Sequence, residues 1–440
     1  MSDTHAQTVR FVRDTMLPEQ APPATAVGVI GWLRANLFSG WFNSILTIIA
    51  LGFIYLVLSI VVPWLVSPTW DAASLTECRG ILKEMGSEGH FGGACWGVIR
   101  DRWVQLLFGF YPSHLYWRPI LALVLLAVAL APVLFGEHVP KRLIWFSAIY
   151  PFIMPWLLWG GSVWTPIMVA AGLAVGYVAY RLIAVTGGTL LALVAGVVAA
   201  MVWWLFLLGP VSGGFDSIIP LGLEGVESRD FGGFMLSLTI GIVAIAISLP
   251  LGIVLALGRQ SDLLILKSIC VGFIEFIRGV PLITLLFVAS TLLNIFMPPG
   301  TNFDIILRVI IMATLFASAY MAEVIRGGLA ALPRGQYEGA DSLGLNYWQA
   351  QRLIIMPQAL KISIPGIVST FIGLFKDTTL VSIIGLLDPL GLSTAIRADS
   401  AWNGIVWELY GFIALLFFIC CFSMSRYSMY LERKLRTGHR

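Results

Sequence analysis

The sequence predicts an all-α, polytopic membrane protein, and three observations carry that reading. Hydrophobic residues fill 58% of the 440 positions and charged ones only 12%, giving a mean hydropathy of +0.88. The apolar residues are gathered in runs of about 20, the length that crosses a hydrocarbon core as a helix with every backbone polar group satisfied internally. Runs such as LALVLLAVALAPVLF are apolar on all faces, whereas a transmembrane barrel strand alternates with period two.

Taken in order, residues 1–43 carry charges and prolines without the apolar core and cleavage site of a secretory signal, and are expected to be cytoplasmic. Ten spans follow, at about 44–66, 116–135, 143–159, 166–183, 188–209, 232–257, 268–297, 304–326, 360–385 and 404–427. Arg10, Arg13 and Arg34, Lys141 and Arg142, Arg181, Arg259 and Lys267, Arg334 and Arg352, and the closing RKLR fall in alternating connections. Those connections are therefore cytoplasmic, and the polar loop at about 67–115 is periplasmic. The net charge of +3 is small and dispersed over span ends, which speaks for topology and against a nucleic-acid partner. Trp32, Trp41, Trp64, Trp70, Trp117 and Trp145 lie near span ends and read as an interfacial belt in contact with lipid.

Of five cysteines, Cys270, Cys420 and Cys421 lie in apolar runs as small buried residues. Cys78 and Cys95 share the periplasmic loop, where a bridge between them would stabilise it by about 3 kcal/mol. Two free thiols are the alternative, and no metal-ligand spacing accompanies the pair.

A Gly- and Pro-rich linker at 210–230, with room for a short interfacial helix, separates the additional spans at 44–209 from a second part at 231–433. The earlier spans hold almost no internal charge and suit anchoring. Glu275, Arg278, Glu323, Arg326, Lys376 and Asp377 all fall in the second part. Charges inside spans are costly and mark cavities, pathways or partners, so function is sought there.

Between two of these later spans stands the polar stretch GQYEGADSLGLNYWQAQRLIIMPQA, Gly335 to Ala359. Glu338 to Ser342 is expected to form a short helix, Gly344 a turn, and YWQAQRLII a second helix ending at Pro357, together a rigid cytoplasmic protrusion. An amphipathic linker lying on the membrane is the competing reading. Glu338, Ala340, Gly344, Ile354 and Pro357 fall at the spacing E-A-A-x3-G-x9-I-x-L-P, with Gly339 and Met356 as departures of small volume. This resembles the EAA loop of the permease subunits of binding-protein-dependent ABC importers. SAYMAEVIRGGLAALPRGQYEGADSLG, FIEFIRGVPL and LFKDTTLVSIIGLLD are similar to the polar amino acid subfamily, over about 230–433. The longer N-terminal half resembles importers of the Aap and Bzt types, which serve general L-amino acids or glutamate, glutamine, aspartate and asparagine.

The resemblance implies a bacterial inner-membrane protein with a five-span type I permease core preceded by about five extra spans. It implies a coupling loop at about 334–358, in which Glu338, Gly339, Ala340, Asp341, Gly344, Ile354 and Pro357 meet an ATP-binding subunit. The expected partners are two ATP-binding cassette subunits, a paralogous permease and a periplasmic amino-acid-binding protein. ATP and magnesium belong to the partner ATPase. The sequence has no G-x4-G-K-[ST] phosphate loop, catalytic triad or metal cluster, so it is not expected to be an enzyme.

An amino acid in transit needs compensation for a carboxylate and an ammonium. Lys376, inside its span beside Asp377, Thr378 and Thr379, is the first candidate for the carboxylate. Tyr320, Glu323 and Arg326 share one helical stripe, with Glu323 suited to the ammonium and Arg326 to a carboxylate. The competing readings pair Glu323 with Arg326, place Arg326 at the headgroups, and turn Lys376 and Asp377 toward the partner permease. Glu275 and Arg278, followed by Gly279 and Pro281, read as a structural pair at a helix break. A self-sufficient ion-coupled transporter, with Glu323 and Asp377 as ion ligands, predicts inverted repeats that the sequence lacks. An exporter half is a third reading, which the lack of a fused ATPase speaks against but does not by itself remove.

Overall fold

The computed structural model describes residues 28–86, 92–185, 187–292, 295 and 304–435. Most of the expected opening segment and the tip of the polar loop lie outside the described residues. The chain forms two compact units. The first comprises the described residues up to Thr69 and those between Gly80 and Ala94. It holds α1 (Gly28–Asn36) and α2 (Trp41–Leu65), the first span, of which no residue is buried. The Ala94 N–H donates to the Trp64 carbonyl at 3.0 Å, and Thr69 Oγ1 donates to the Ala94 carbonyl.

The second unit holds the first turns of α3 (Leu75–Glu84), then α4 (Gly97–Phe108), α5 (Trp117–Leu134), α6 (Ile144–Trp159), α7 (Trp164–Ala184), α8 (Gly188–Val202) and α9 (Leu208–Ile218). The later helices are α10 (Gly233–Gln260), α11 (Leu264–Gly279), α12 (Leu282–Phe287), α13 (Ile305–Ala330), α14 (Arg334–Ser342), α15 (Tyr347–Ala350), α16 (Met356–Asp377), α17 (Pro389–Ala398) and α18 (Trp407–Leu435). Two-residue strands β1 (Gly161–Ser162) and β2 (Gly222–Leu223) pair antiparallel, a small exception to the all-α expectation. Among the described residues nine helical stretches are long and apolar enough to cross a membrane, or ten with one bent pair counted as a span.

That bent pair corrects the straight seventh span. α11 and α12 meet at 102°, because Pro281 has no N–H for the helical ladder and drives Val280 into an extended conformation, φ −106° and ψ 130°. The ninth span is corrected as well, since the helix does not end at Pro357 but runs continuously over Tyr347–Ile384. A π turn at Gln351–Ile355 opens the ladder just before the proline, with the Met356 N–H reaching back to the Gln351 carbonyl. The N–H that Pro357 lacks would have served Leu353, inside that turn. The same device acts at Trp203–Leu207 ahead of Pro210, so the fifth span continues to Ile218 and takes up much of the expected linker.

Close approach of α7 and α8 depends on glycine, since a Cβ on Gly176 would stand 2.8 Å from the Gly196 carbonyl and one on Gly196 2.9 Å from that of Gly176. The α5–α6 hairpin is fastened to later parts of the chain at both ends. The Trp159 ring stacks on Phe231 at 4.4 Å and its Nε1 donates to Ser228 at 2.6 Å. Tyr427 of α18 donates to the Leu134 carbonyl at 2.6 Å, and Lys434 pairs with Glu137 at 2.5 Å.

Residues 70–79 and 95–115 form a folded cap rather than a plain loop. Cys78 and Cys95 are joined by a disulfide with Cα atoms 5.9 Å apart. The Cys95 N–H donates to buried Glu408 at 2.8 Å, the Leu75 N–H to the Ala401 carbonyl at 2.8 Å, and Trp402 Nε1 to Asp101 at 3.0 Å. Arg102 pairs with Asp399 at 3.0 Å. The cap thus rests on α17, the start of α18 and the turn between them.

Candidate functional site

The polar stretch between α13 and α16 is a two-helix protrusion. Asn346 and Gln349 close a capping box that starts α15, with the Gln349 N–H donating to Asn346 at 2.9 Å and the Asn346 N–H to Gln349 at 3.0 Å. Gly344 makes the turn between the helices at φ +68°, a conformation that costs glycine nothing. Ala340 is 1% exposed, and Tyr337 and Ile354 of the protrusion pack against a buried cluster that includes Ile325, Leu329, Leu332, Ile355 and Ala359. Burial pushes the Tyr337 phenol above its usual pKa.

The opposite face is open. Glu338, Gly339 and Asp341 are exposed, and so are the large apolar residues Leu343, Tyr347, Trp348 and Leu353. A Cβ added to Gly339 would meet nothing within 4 Å, so its departure from the family's alanine is sterically neutral here. Ile354 is half-buried, while Pro357 is exposed at the second residue of α16. An acidic rim around apolar side chains on a rigid protrusion is a surface suited to a protein partner.

Tyr320, Glu323 and Arg326 lie on α13 within a network of five charges. Arg259 of α10 donates to Glu275 of α11 and forms an ion pair with Glu323, each at 2.8 Å. Arg326 binds Glu323 at 3.0 Å, and Arg278 lies 3.7 Å from Glu323 and over the Tyr320 ring at 5.7 Å. The expected Glu323–Arg326 pair is present. Glu275 and Arg278 do not pair with each other but with neighbouring helices, Glu275 with Arg259 of α10 at 2.8 Å and Arg278 with Glu323 of α13 at 3.7 Å. Three guanidiniums already surround the Glu323 carboxylate in this conformation. Sequence reasoning gave Arg259 only a topological role, although its position at the end of an apolar run was visible.

Lys376, Asp377 and Thr378 form a separate group. Gly366 packs on Val324 and Gly328 on Ser363 and Ala359, which fixes the antiparallel register of α13 and α16. Lys376 lies roughly 15 Å beyond Gly366 along the axis at 1.5 Å per residue, well separated from the Glu323 network. Lys376 is exposed and Asp377 half-buried. Thr378 is buried and donates to the Phe375 carbonyl at 2.7 Å, while Thr379 donates to that of Lys376 at 2.9 Å. Here α16 tightens into a 3₁₀ segment, Thr378–Ile384, a feature of hinges. No salt bridge to Lys376 is found among the described residues.

Residues 248–437 match the family described as binding-protein-dependent transport system inner membrane component. BztC of Rhodobacter capsulatus, a glutamate/glutamine/aspartate/asparagine transport system permease protein, is 58% identical over 442 residues, covering 100% of both chains. YhdY of Escherichia coli K12, an inner membrane amino-acid ABC transporter permease protein, is 41% identical over 414 residues, covering 92% of this chain and 93% of that one. A solved amino acid ABC transporter "with histidines" is 30% identical over 46% of this chain and 91% of its own, with a TM-score of 0.41. Similarity along the full length of a permease, together with the family match over the helices that bear the protrusion, establishes that this chain belongs to the inner-membrane permease subunits of binding-protein-dependent ABC importers.

Proposed function

We propose that this permease carries L-amino acids with acidic or amide side chains across the bacterial inner membrane, by alternating access driven by ATP hydrolysis on a partner. The observation that supports the coupling role is the protrusion itself, buried through Ala340 and open through Glu338, Asp341 and Trp348. Family membership implies ATP-binding subunits and a substrate-binding protein. The substrate class rests on the name of the 58% identical relative.

In this reading two ATP-binding subunits, holding ATP and magnesium, grip Glu338 to Pro357 from the cytoplasm, and their approach pushes the rod Tyr347–Ile384. A shorter paralogous permease completes the pore, and a periplasmic binding protein delivers the amino acid. The additional spans, which run on to Ile218, serve anchoring, and the core at 231–433 serves transport. Lys376 receives a substrate carboxylate, with Thr378 and Asp377 beside it. Asp377 is left to meet the ammonium, because Glu323 is engaged by arginines. Arg326 and Tyr320 stand further along the path toward the cytoplasm, where a guanidinium favours an acidic substrate.

The test is uptake of labelled glutamate by the complete importer in proteoliposomes. Lys376→Ala is expected to lower uptake about tenfold or more, the consequence of losing a charge-assisted contact. Wild-type uptake by that variant would remove Lys376 from the path.

A further inference from the structure

We infer that Arg308 is a positioning residue of the transport cycle. Together with the Arg278–Glu323 pair it fastens both arms of the broken span to α13, so that the span moves with the helix leading into the coupling loop. The inference rests on the coupling role proposed for α14.

Arg308 lies in the first turns of α13, within a membrane span, and is 8% exposed. Its Nη1 donates to the Ser290 carbonyl at 2.9 Å and the Ala289 carbonyl at 3.3 Å. Both carbonyls belong to the π turn Val288–Leu292 that follows α12. A helical carbonyl keeps a second lone pair that can accept from the side, and the two Arg308 Nη1 bonds draw on it. A guanidinium within a membrane span needs acceptors. The two carbonyls of the turn give Arg308 Nη1 its acceptors.

The second arm is held at the other side of the 102° bend. Arg278, in the last turn of α11, approaches Glu323 at 3.7 Å and covers the Tyr320 ring at 5.7 Å. Between the two polar contacts Ile277, Leu285 and Ala319 form a buried cluster with Phe273 and Phe316, packing both arms on one face of α13. The broken span therefore cannot swing away from α13 without breaking a contact made by a charged side chain. α13 ends at Ala330 and α14 begins at Arg334, so displacement of the coupling loop acts directly on this helix.

The experiment uses the complete importer in proteoliposomes and reads ATP hydrolysed per amino acid taken up. Arg308→Gln is expected to retain its ATPase subunits and hydrolyse ATP within about twofold of wild type, while uptake falls about tenfold and the ratio rises accordingly. Arg308→Lys, which keeps a cation on the carbonyls, is expected to recover most of the coupling. Arg278→Gln together with Glu275→Gln removes both the Glu323 and the Arg259 contacts of the other arm and is expected to raise the same ratio, which decides the matter if Arg308→Gln fails to assemble. An unchanged ratio, with uptake either intact or falling in step with hydrolysis, would overturn the inference. Failure of the wild-type chain to hold an ATPase would instead overturn the coupling role on which it rests.

Discussion

Gln358 of α16 donates its side-chain amide to Gln336 of α14 at 2.8 Å and to the Ile354 carbonyl at 3.0 Å. One side chain thus links α14 to the continuous rod Tyr347–Ile384. Gln358→Leu is expected to remove this link, worth about 1 kcal/mol, and to reduce uptake several-fold with little effect on membrane insertion. Uptake and chain abundance in membranes, measured together, check it.

The packing of α13 on α16 makes a paired prediction from adjacent glycines. A Cβ on Gly328 would stand 2.0 Å from Ser363 Oγ and 2.6 Å from the Ala359 carbonyl, whereas one on Gly327 meets nothing within 4 Å. Gly328→Ala is expected to destabilise the folded protein by about 1–3 kcal/mol. Gly327→Ala should leave the melting temperature in detergent unchanged, and equal melting of the two variants would contradict the register.

Asp388, between the last two spans, is fully buried at the N-terminus of α17 and accepts from the N–H groups of Gly391 at 2.9 Å and Leu390 at 3.2 Å. Burial pushes its carboxyl from 3.8 up to about 6, against the lowering effect of those backbone bonds. Between these values the folded state binds more protons than the unfolded one, so stability falls as pH rises through the window and is level above it. Asp388→Asn keeps the cap and is expected to abolish that fall. Asp388→Ala is expected to lose about 1 kcal/mol with the cap. Melting temperature against pH is the check, and a wild-type slope in Asp388→Asn would contradict it.

The Cys78–Cys95 bridge spans 17 residues, and its removal is expected to cost about 3 kcal/mol in the chain-entropy account. Reductant should lower the melting temperature of the wild type and leave the Cys78→Ser, Cys95→Ser double variant unmoved. A reductant-insensitive wild type would contradict a stabilising role for the bridge.

The spans and the protrusion were legible because both are written in local patterns: runs of about 20 apolar residues, and a turn glycine between polar helices at Gly344. What escaped depends on backbone geometry or on distant partners. A hydropathy window averages over Val280 and Pro281 and sees one span where the helix turns by 102°. Pro357 signals a helix end by its missing N–H, but the π turn before it removes the conflict. The cap reads as a polar loop because Asp101 and Cys95 find Trp402 and Glu408 some 300 residues later and no local pattern announces such contacts. Arg308 stood in plain view within an apolar run, and its acceptors became evident only with the π turn at Val288–Leu292.

The most direct test of the central claim is purification of the tagged protein from its native membrane in mild detergent, with identification by mass of the chains that stay bound. A second permease and an ATPase bearing a phosphate-loop motif are expected, with the ATPase lost from Glu338→Lys, since the exposed Glu338 side chain lies on the open face of the protrusion. A single-chain species that takes up amino acids on an ion gradient alone, or an ATPase held equally well by Glu338→Lys, would contradict it.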